Sequence, residues 1–155
     1  MMDAATQAVM FSKASDEWET PQDLFDALHQ EFVFMLDAAA TSSNAKCVSY
    51  YTHSCDALTA DWRSANGSVW LNPPYSQCAE FVAKAHGESL LGVTTVALLP
   101  ARTDTRWWHD YVWQTERHLP RNGVEVRFVR GRLRFSGAKH SAPFPSVVVV
   151  FYGRA

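Results

Sequence analysis

The chain has 155 residues, 47% of them hydrophobic and 19% charged, with a formal net charge of −2. That is enough chain for one domain with a sizeable core, and the composition is that of a globular protein, not of a disordered chain. No apolar run approaches the roughly eighteen residues of a membrane span, and the first residues lack a basic stretch followed by an apolar one, so the expectation is a soluble, intracellular protein with no membrane partner. The three cysteines, Cys47, Cys55 and Cys78, form no CxxC pair, which argues against a disulfide framework. Cys47, His53 and Cys55 are short of a fourth zinc ligand, and no metal is expected.

In chain order, residues 1–15 read as a flexible arm and residues 16–155 as one domain. Thr20 is placed to cap a helix with Pro21 in its first turn and Asp23 where a carboxylate favours the N-terminus, and Leu24, Phe25 and Leu28 recur at helical spacing. Phe32 to Leu36 reads as a buried strand ending at Asp37, followed by Ala38, Ala39 and Ala40. Residues 41–67 are weakly patterned, with a short strand expected at Val48 to Tyr51. Val69 to Leu71 is a strand, Gln77 to Leu91 a helix, Val93 to Leu99 a buried strand and Pro100 to Thr103 its exit loop. Thr105 to Glu116, carrying Trp107, Trp108, Tyr111 and Trp113, reads as a helix. Val124 to Val129 and Ser146 to Tyr152 are further strands. This alternation predicts an α/β fold, a mostly parallel sheet with helices on both faces, whose ligands bind beyond the carboxyl ends of the strands. Asp37, Asn72 and the Pro100 to Thr103 segment fall at those ends. Asp37 could accept hydrogen bonds from an amino or hydroxyl group of a cofactor, although an Asp after a strand is also a common helix cap.

Asn72-Pro73-Pro74-Tyr75, directly after Val69-Trp70-Leu71, is the segment richest in chemistry. An exocyclic aromatic amine such as N6 of adenine is a poor nucleophile, because its lone pair is delocalised into the ring. The Asn72 side-chain oxygen and the carbonyl of Pro73 could accept its two hydrogens and favour a pyramidal nitrogen. Two prolines stiffen the loop, and Tyr75 could stack on a base. Asn-Pro and Pro-Pro are also ordinary turn punctuation. Trp107 and Trp108 could wall a base pocket, but tryptophans at helical spacing are more often core.

The small net charge conceals a polarity along the chain. Residues 1–100 hold four basic and twelve acidic side chains, whereas residues 101–155 hold ten basic and four acidic. Nine of those ten are arginine, suited to bidentate contact with phosphate or guanine, and Arg127, Arg130, Arg132 and Arg134 lie within eight residues. Scattered charges usually make only a solvated face. This cluster favours contact with nucleic acid.

The blocks SDEWETPQDLFDAL at 15–28, LDAAATSSNAKC at 36–47, VWLNPPYS at 69–76, VALLPARTDTRWWHD at 96–110 and VRGRLRFSGAKHSAPFPSVVVVF at 129–151 resemble the phage-type DNA N6-adenine methyltransferase (Dam) family. The resemblance implies a Rossmann-like methyltransferase fold, S-adenosylmethionine as methyl donor, DNA as partner and the host-cell cytoplasm as location. It implies catalytic roles for Asn72, Pro73, Pro74 and Tyr75. Donor contacts are implied at Thr20 and Pro21, at Asp37 with Ala38, at Asp56, and at Asn72 itself, with Asp61 competing for the place of Asp56. Arg102, Arg130, Arg132, Arg134 and Lys139 are the candidate DNA contacts. One departure is that Ala38, Ala39 and Ala40 stand where larger members of the superfamily have a glycine-rich turn, so the loop must take another path.

The implied mechanism is direct transfer to a base flipped out of the stack. No cysteine follows a proline, as a cytosine-C5 mechanism would require, and no GxSxG hydrolase signature is present. Alternatives are an amino-methyltransferase acting on RNA or on a protein glutamine, and a catalytically silent DNA-binding module of the same fold.

Overall fold

The computed structural model describes residues 18–52 and 56–154. The arm expected over 1–15, and His53 and Cys55 of the zinc reading, lie outside them. Helix α1 (Gln22–Phe32) buries Phe25 and Leu28, each worth about 1.5–3 kcal/mol when withdrawn from water. Thr20 does not cap this helix. The residue before α1 is Pro21, which offers no side-chain cap, and the Thr20 hydroxyl accepts a hydrogen bond from Asn72 instead. At the other end Val33 is left-handed (φ 53°), and its N–H closes on the His29 carbonyl at 2.9 Å. The chain therefore passes from helix to strand in one residue. A β-branched residue rarely takes this conformation.

Strand β1 (Phe34–Asp37) pairs in parallel with β2 (Ser68–Leu71), and β2 in parallel with β3 (Thr95–Pro100). Helix α2 (Cys78–Ser89) connects β2 to β3. After β3 come a short hairpin, β4 (Trp113–Gln114) with β5 (Leu119–Pro120), and then β6 (Val124–Phe128) and β7 (Ser146–Phe151). The main sheet has the order β1-β2-β3-β7-β6. Its last two pairings, β3 with β7 and β7 with β6, are antiparallel. The sheet is thus mixed, parallel only over β1 to β3. Strands β6 and β7 are neighbours joined by a returning loop, which requires opposite directions, whereas the parallel pair β2 and β3 has a crossover helix between them.

Both faces are covered. Phe25 and Leu28 of α1 pack with Phe34, Trp70, Val96, Leu98, Val148 and Val150 on one side. Phe81, Val82 and Ala85 of α2 pack with Leu36, Val69, Leu71, Ala97, Leu99 and Val149 on the other. A central strand covered on both faces must be apolar at consecutive positions, and β3 and β7 are buried at every residue. Among the described residues no helix is long and apolar enough to cross a membrane.

Two expected elements change form. The helix expected over Thr105 to Glu116 shortens to a wide turn at Trp108–Val112 and gives way to β4. Trp, Val and Thr are mediocre helix formers, and burial of Trp107, Trp108 and Val112 in the α2-side core sets the path instead. These tryptophans are core. The strand expected at Val48 to Tyr51 is reduced to a single bridge, Asp37 to Tyr50, flanked by hydrogen bonds from Asp37 N–H to Ser49 O (3.0 Å) and from Tyr51 N–H to Asp37 O (2.9 Å).

Candidate active site

The carboxyl ends of β1 and β2 open into a cleft of about 800 Å³, measured with its open mouth. Asp37, Ala38, Asp56, Thr20, Asn72 and Pro74 all line it, so residues separated by up to about a third of the chain converge on one space. Parallel strands make this possible, because their ends and the turns after them project from the same edge of the sheet.

Asn72 follows the last residue of β2. Its Nδ2 donates to the Trp18 carbonyl and, at 2.9 Å, to the Thr20 hydroxyl oxygen. Its Oδ1 is buried and has no hydrogen-bond partner among the described residues. Leaving a buried acceptor unsatisfied costs roughly 1–3 kcal/mol, so such an atom is commonly one kept for a ligand. Pro73 is buried, and Pro74 (φ −56°, ψ 135°) leads into a tight turn at Tyr75–Gln77 that runs on into α2. The loop therefore has a strand behind it, a helix ahead of it and two fixed φ angles between.

Tyr75 is not among the residues lining the cleft and packs into an aromatic cluster. Its ring lies 6.3 Å from that of Trp18, with 22° between the planes, and 4.9 Å edge-on from Phe144. Phe135 completes the group, 5.2 Å from Trp18. Burial pushes the Tyr75 phenol well above the usual tyrosine range, so it stays protonated. Neither its hydroxyl nor Trp18 Nε1 has a hydrogen-bond partner among the described residues. The sequence reading did not single out Trp18, Phe135 or Phe144. The one available signal was Trp18 standing two residues before Thr20.

Asp37 is only 3% exposed. Burial raises its carboxyl to a pKa of about 6, against the opposing pull of the Lys46 N–H (3.0 Å) and the Ala39 N–H (3.3 Å) that it accepts. The loop after it needs no glycine, since none of Ala38, Ala39 and Ala40 has positive φ. Four successive N–H groups are tied inward: Ala38 to Trp70 O, Ala39 to Asp37 Oδ1, Ala40 to Tyr51 O and Thr41 to Asn44 Oδ1. Asp56 lines the cleft, whereas Asp61 is engaged elsewhere. Asp61 caps the turn Trp62–Ala65 and forks onto Arg63, whose hydrogen bonds hold its carboxyl down at about 2. The wall containing Asp56 is braced by Trp62 Nε1 donating to Ala57 O and by Lys84 Nζ donating to Ala60 O. Pro21 precedes α1 beside Thr20. Among the described residues no cluster of His, Cys, Asp or Glu is arranged to hold a metal.

The basic residues divide. Arg130, Arg132, Arg134 and Lys139 are exposed on the loop between β6 and β7. That loop is anchored by Phe135, Ala142 and Phe144, which are buried on the α1 side. Ser136 joins it to the residues before α1, its N–H donating to Glu19 O (3.0 Å) and its hydroxyl to Thr20 O (3.2 Å). Arg102 leaves the end of β3 close enough for its charge to act on Tyr75. Arg127 belongs elsewhere: it forks onto Glu31 with two contacts of 2.7 Å, also pairs with Glu125, and covers the Phe32 ring.

The family described as DNA N-6-adenine-methyltransferase (Dam) matches residues 7–150. The chain is similar to the DNA N-6-adenine-methyltransferase of Haemophilus phage HP1, 37% identical over 123 residues that make up 76% of this chain and 65% of that one. It is also similar to the DNA N-6-adenine-methyltransferase of Escherichia phage T1, 36% identical over 96 residues, 61% of this chain and 40% of that one. The chain therefore spans less than two thirds of the length of either relative. Because the family match runs through the strand ends, the Asn72 loop and the basic segment alike, the chain belongs to the DNA N-6-adenine-methyltransferase (Dam) family.

Proposed function

We propose that this protein transfers a methyl group from S-adenosylmethionine to N6 of adenine in DNA, with Asn72 as the acceptor of the amine's hydrogen. The observation that carries the reading is the buried, unpartnered Oδ1 of Asn72 beside the cleft. A hydrogen-bond donor is what such an atom lacks, and an exocyclic amine is one. When Oδ1 and the Pro73 carbonyl each take an N6 hydrogen, the nitrogen lone pair is freed from the ring and aimed into the cleft. Asn72 does not act as a base. The nitrogen sheds its extra proton to solvent after transfer.

The cleft fits the donor. Glu19, Asp37 and Asp56 face it against Lys46, the one cation among its described lining residues, a balance that favours a positively charged small molecule. When bound, S-adenosylmethionine supplies an electrophilic methyl on a sulfonium centre. Asp37 and Asp56 would accept hydrogen bonds from its hydroxyl and amino groups, Ala38 would let it lie close to the backbone, and Thr20 and Pro21 would border its methionine end. The mixed sheet, with its cleft beyond parallel strand ends, accords with a Rossmann-like methyltransferase fold.

The basic loop would grip the duplex while the target base leaves the stack. Arg130, Arg132, Arg134 and Lys139 supply the positive surface, with Arg102 nearer the Asn72 loop. Tyr75 would stack on the flipped base once the Trp18 side of its ring is made accessible. Incubating the protein with isotopically labelled donor and defined oligonucleotides, followed by nucleoside analysis, tests the whole reading. N6-methyladenine is the expected product. Label found only in RNA or protein, or no transfer to any DNA, overturns it.

A further inference from the structure

We infer that Thr20 is a positioning residue that holds the Asn72 amide in the orientation set by the Trp18 carbonyl, with its oxygen toward the acceptor amine. An asparagine amide has two nearly isosteric orientations, one presenting oxygen and the other NH₂. Only the first can accept an amine's hydrogen. The choice is made by what lies at the opposite end. The Trp18 carbonyl has no hydrogen to give and so demands Nδ2, and Thr20 Oγ1 accepts from the same Nδ2 at 2.9 Å. Turned over, the amide would set two oxygens against each other at Trp18. With Nδ2 occupied on both sides, Oδ1 is left as the amide's unengaged polar atom.

The residues that impose this choice are themselves held. Thr20 is 3% exposed, and the carbonyls of Glu19 and Thr20 accept from the N–H and hydroxyl of Ser136. Residues 18–20 thus form a strap across the Asn72 amide, fastened at its far side to the basic loop. The hydroxyl of Thr20 is spent on an amide 52 positions away, so nothing local in the sequence requires it.

The inference rests on Asn72 being the amine's acceptor, and its test separates the two ideas. The full chain and its Thr20→Val and Thr20→Ser variants are compared. Loss of one hydrogen bond to a group engaged in the transition state should lower the turnover of Thr20→Val about tenfold at saturating donor and DNA. Donor affinity measured by calorimetry should fall by clearly less than turnover does, since Thr20 also borders the cleft that would hold the donor. Thr20→Ser should restore turnover. Independently of activity, the Asn72 side-chain amide protons should exchange slowly in the parent and Thr20→Ser, and faster in Thr20→Val. Unchanged turnover overturns the assignment, as does unchanged amide exchange. A loss of donor affinity with turnover intact also overturns it, and makes Thr20 a donor contact alone. If the parent transfers no methyl to DNA, the proposed function falls, and amide exchange alone decides the orientation.

Discussion

At the ends of β1 and β2 the chain turns inward on itself. Its N–H groups are consumed, its carboxylates face a cleft, and its catalytic candidate is held by the hydrogen bonds it donates to a distant segment. Between β6 and β7 the chain does the reverse. The loop is fixed by Phe135 and Phe144, while its arginines reach into solvent. One region is organised by polar contacts around a small acidic space, the other by aromatic anchors beneath a basic surface. The contrast teaches that if the cleft holds the donor and the loop grips DNA, as proposed, the two tasks call for opposite electrostatics and are given to different strand ends of one sheet. Ser136 and the strap at residues 18–20 join the two.

The sharpest way to break that division is Asn72→Ala. Turnover should fall on the order of a hundredfold or more, by analogy with lost transition-state hydrogen bonds, while DNA affinity measured by fluorescence anisotropy stays within about threefold. Parallel collapse of both would mean that the cleft and the basic loop are not separable.

Asp37 gives the next effect. Its folded pKa of about 6 lies above the ordinary carboxylate value of 3.8. The folded state therefore keeps a proton that the unfolded chain has lost, and stability declines as pH rises from about 4 through about 6. Asp37→Asn should gain stability relative to the parent across that window, by about 1–3 kcal/mol when complete, with donor affinity lost. Thermal melts at pH 4 and pH 7 measure the difference of differences. A constant gap between variant and parent would deny the shift. A carboxylate that costs stability at neutral pH is expected where a ligand needs it.

On the basic side, Arg130→Gln with Arg132→Gln should reduce the slope of log affinity against log salt by about 2 if both touch phosphates, leaving turnover at saturating DNA near the parent's. An unchanged slope would assign them to plain solvated surface. The smallest effect is expected from Arg127→Gln. Paired with Glu31 and Glu125, it should leave the salt slope alone and cost about 1 kcal/mol of stability or less, read from denaturant titration. A lowered slope would return it to the DNA-binding set.

What was legible in the sequence follows from how far each interaction reaches. Val69 to Leu71, Val93 to Leu99 and Ser146 to Tyr152 read as strands because burial on both faces writes a largely apolar run, and the observed strands differ from these only at their ends. The Asn72 loop was legible because its chemistry is contiguous. The use of the Thr20 hydroxyl was not, since a threonine before Pro21 satisfies the local rule for a cap equally well, and only the fold brings Asn72 to it. Arg127 looked like part of a basic cluster because its partner Glu31 is 96 positions away. The tryptophans of 107–113 carry helical spacing, yet their bulk is accommodated by a wide turn against the core. The antiparallel half escaped notice because a buried strand's composition says nothing about its direction.

The inward tying of N–H groups from Ala38 to Thr41 has a consequence for competition inside a cell. Nucleotide-binding folds commonly cradle pyrophosphate on free amides at this turn, and here none of the four is free. With carboxylates around the same cleft, ATP and other adenosine phosphates would meet repulsion where their charge most needs neutralising. An adenosine ligand with a cationic tail would meet no such repulsion, and the discrimination would rest on the main chain at Ala38 and Ala40 and on the side chains of Asp37 and Asn44 at Ala39 and Thr41.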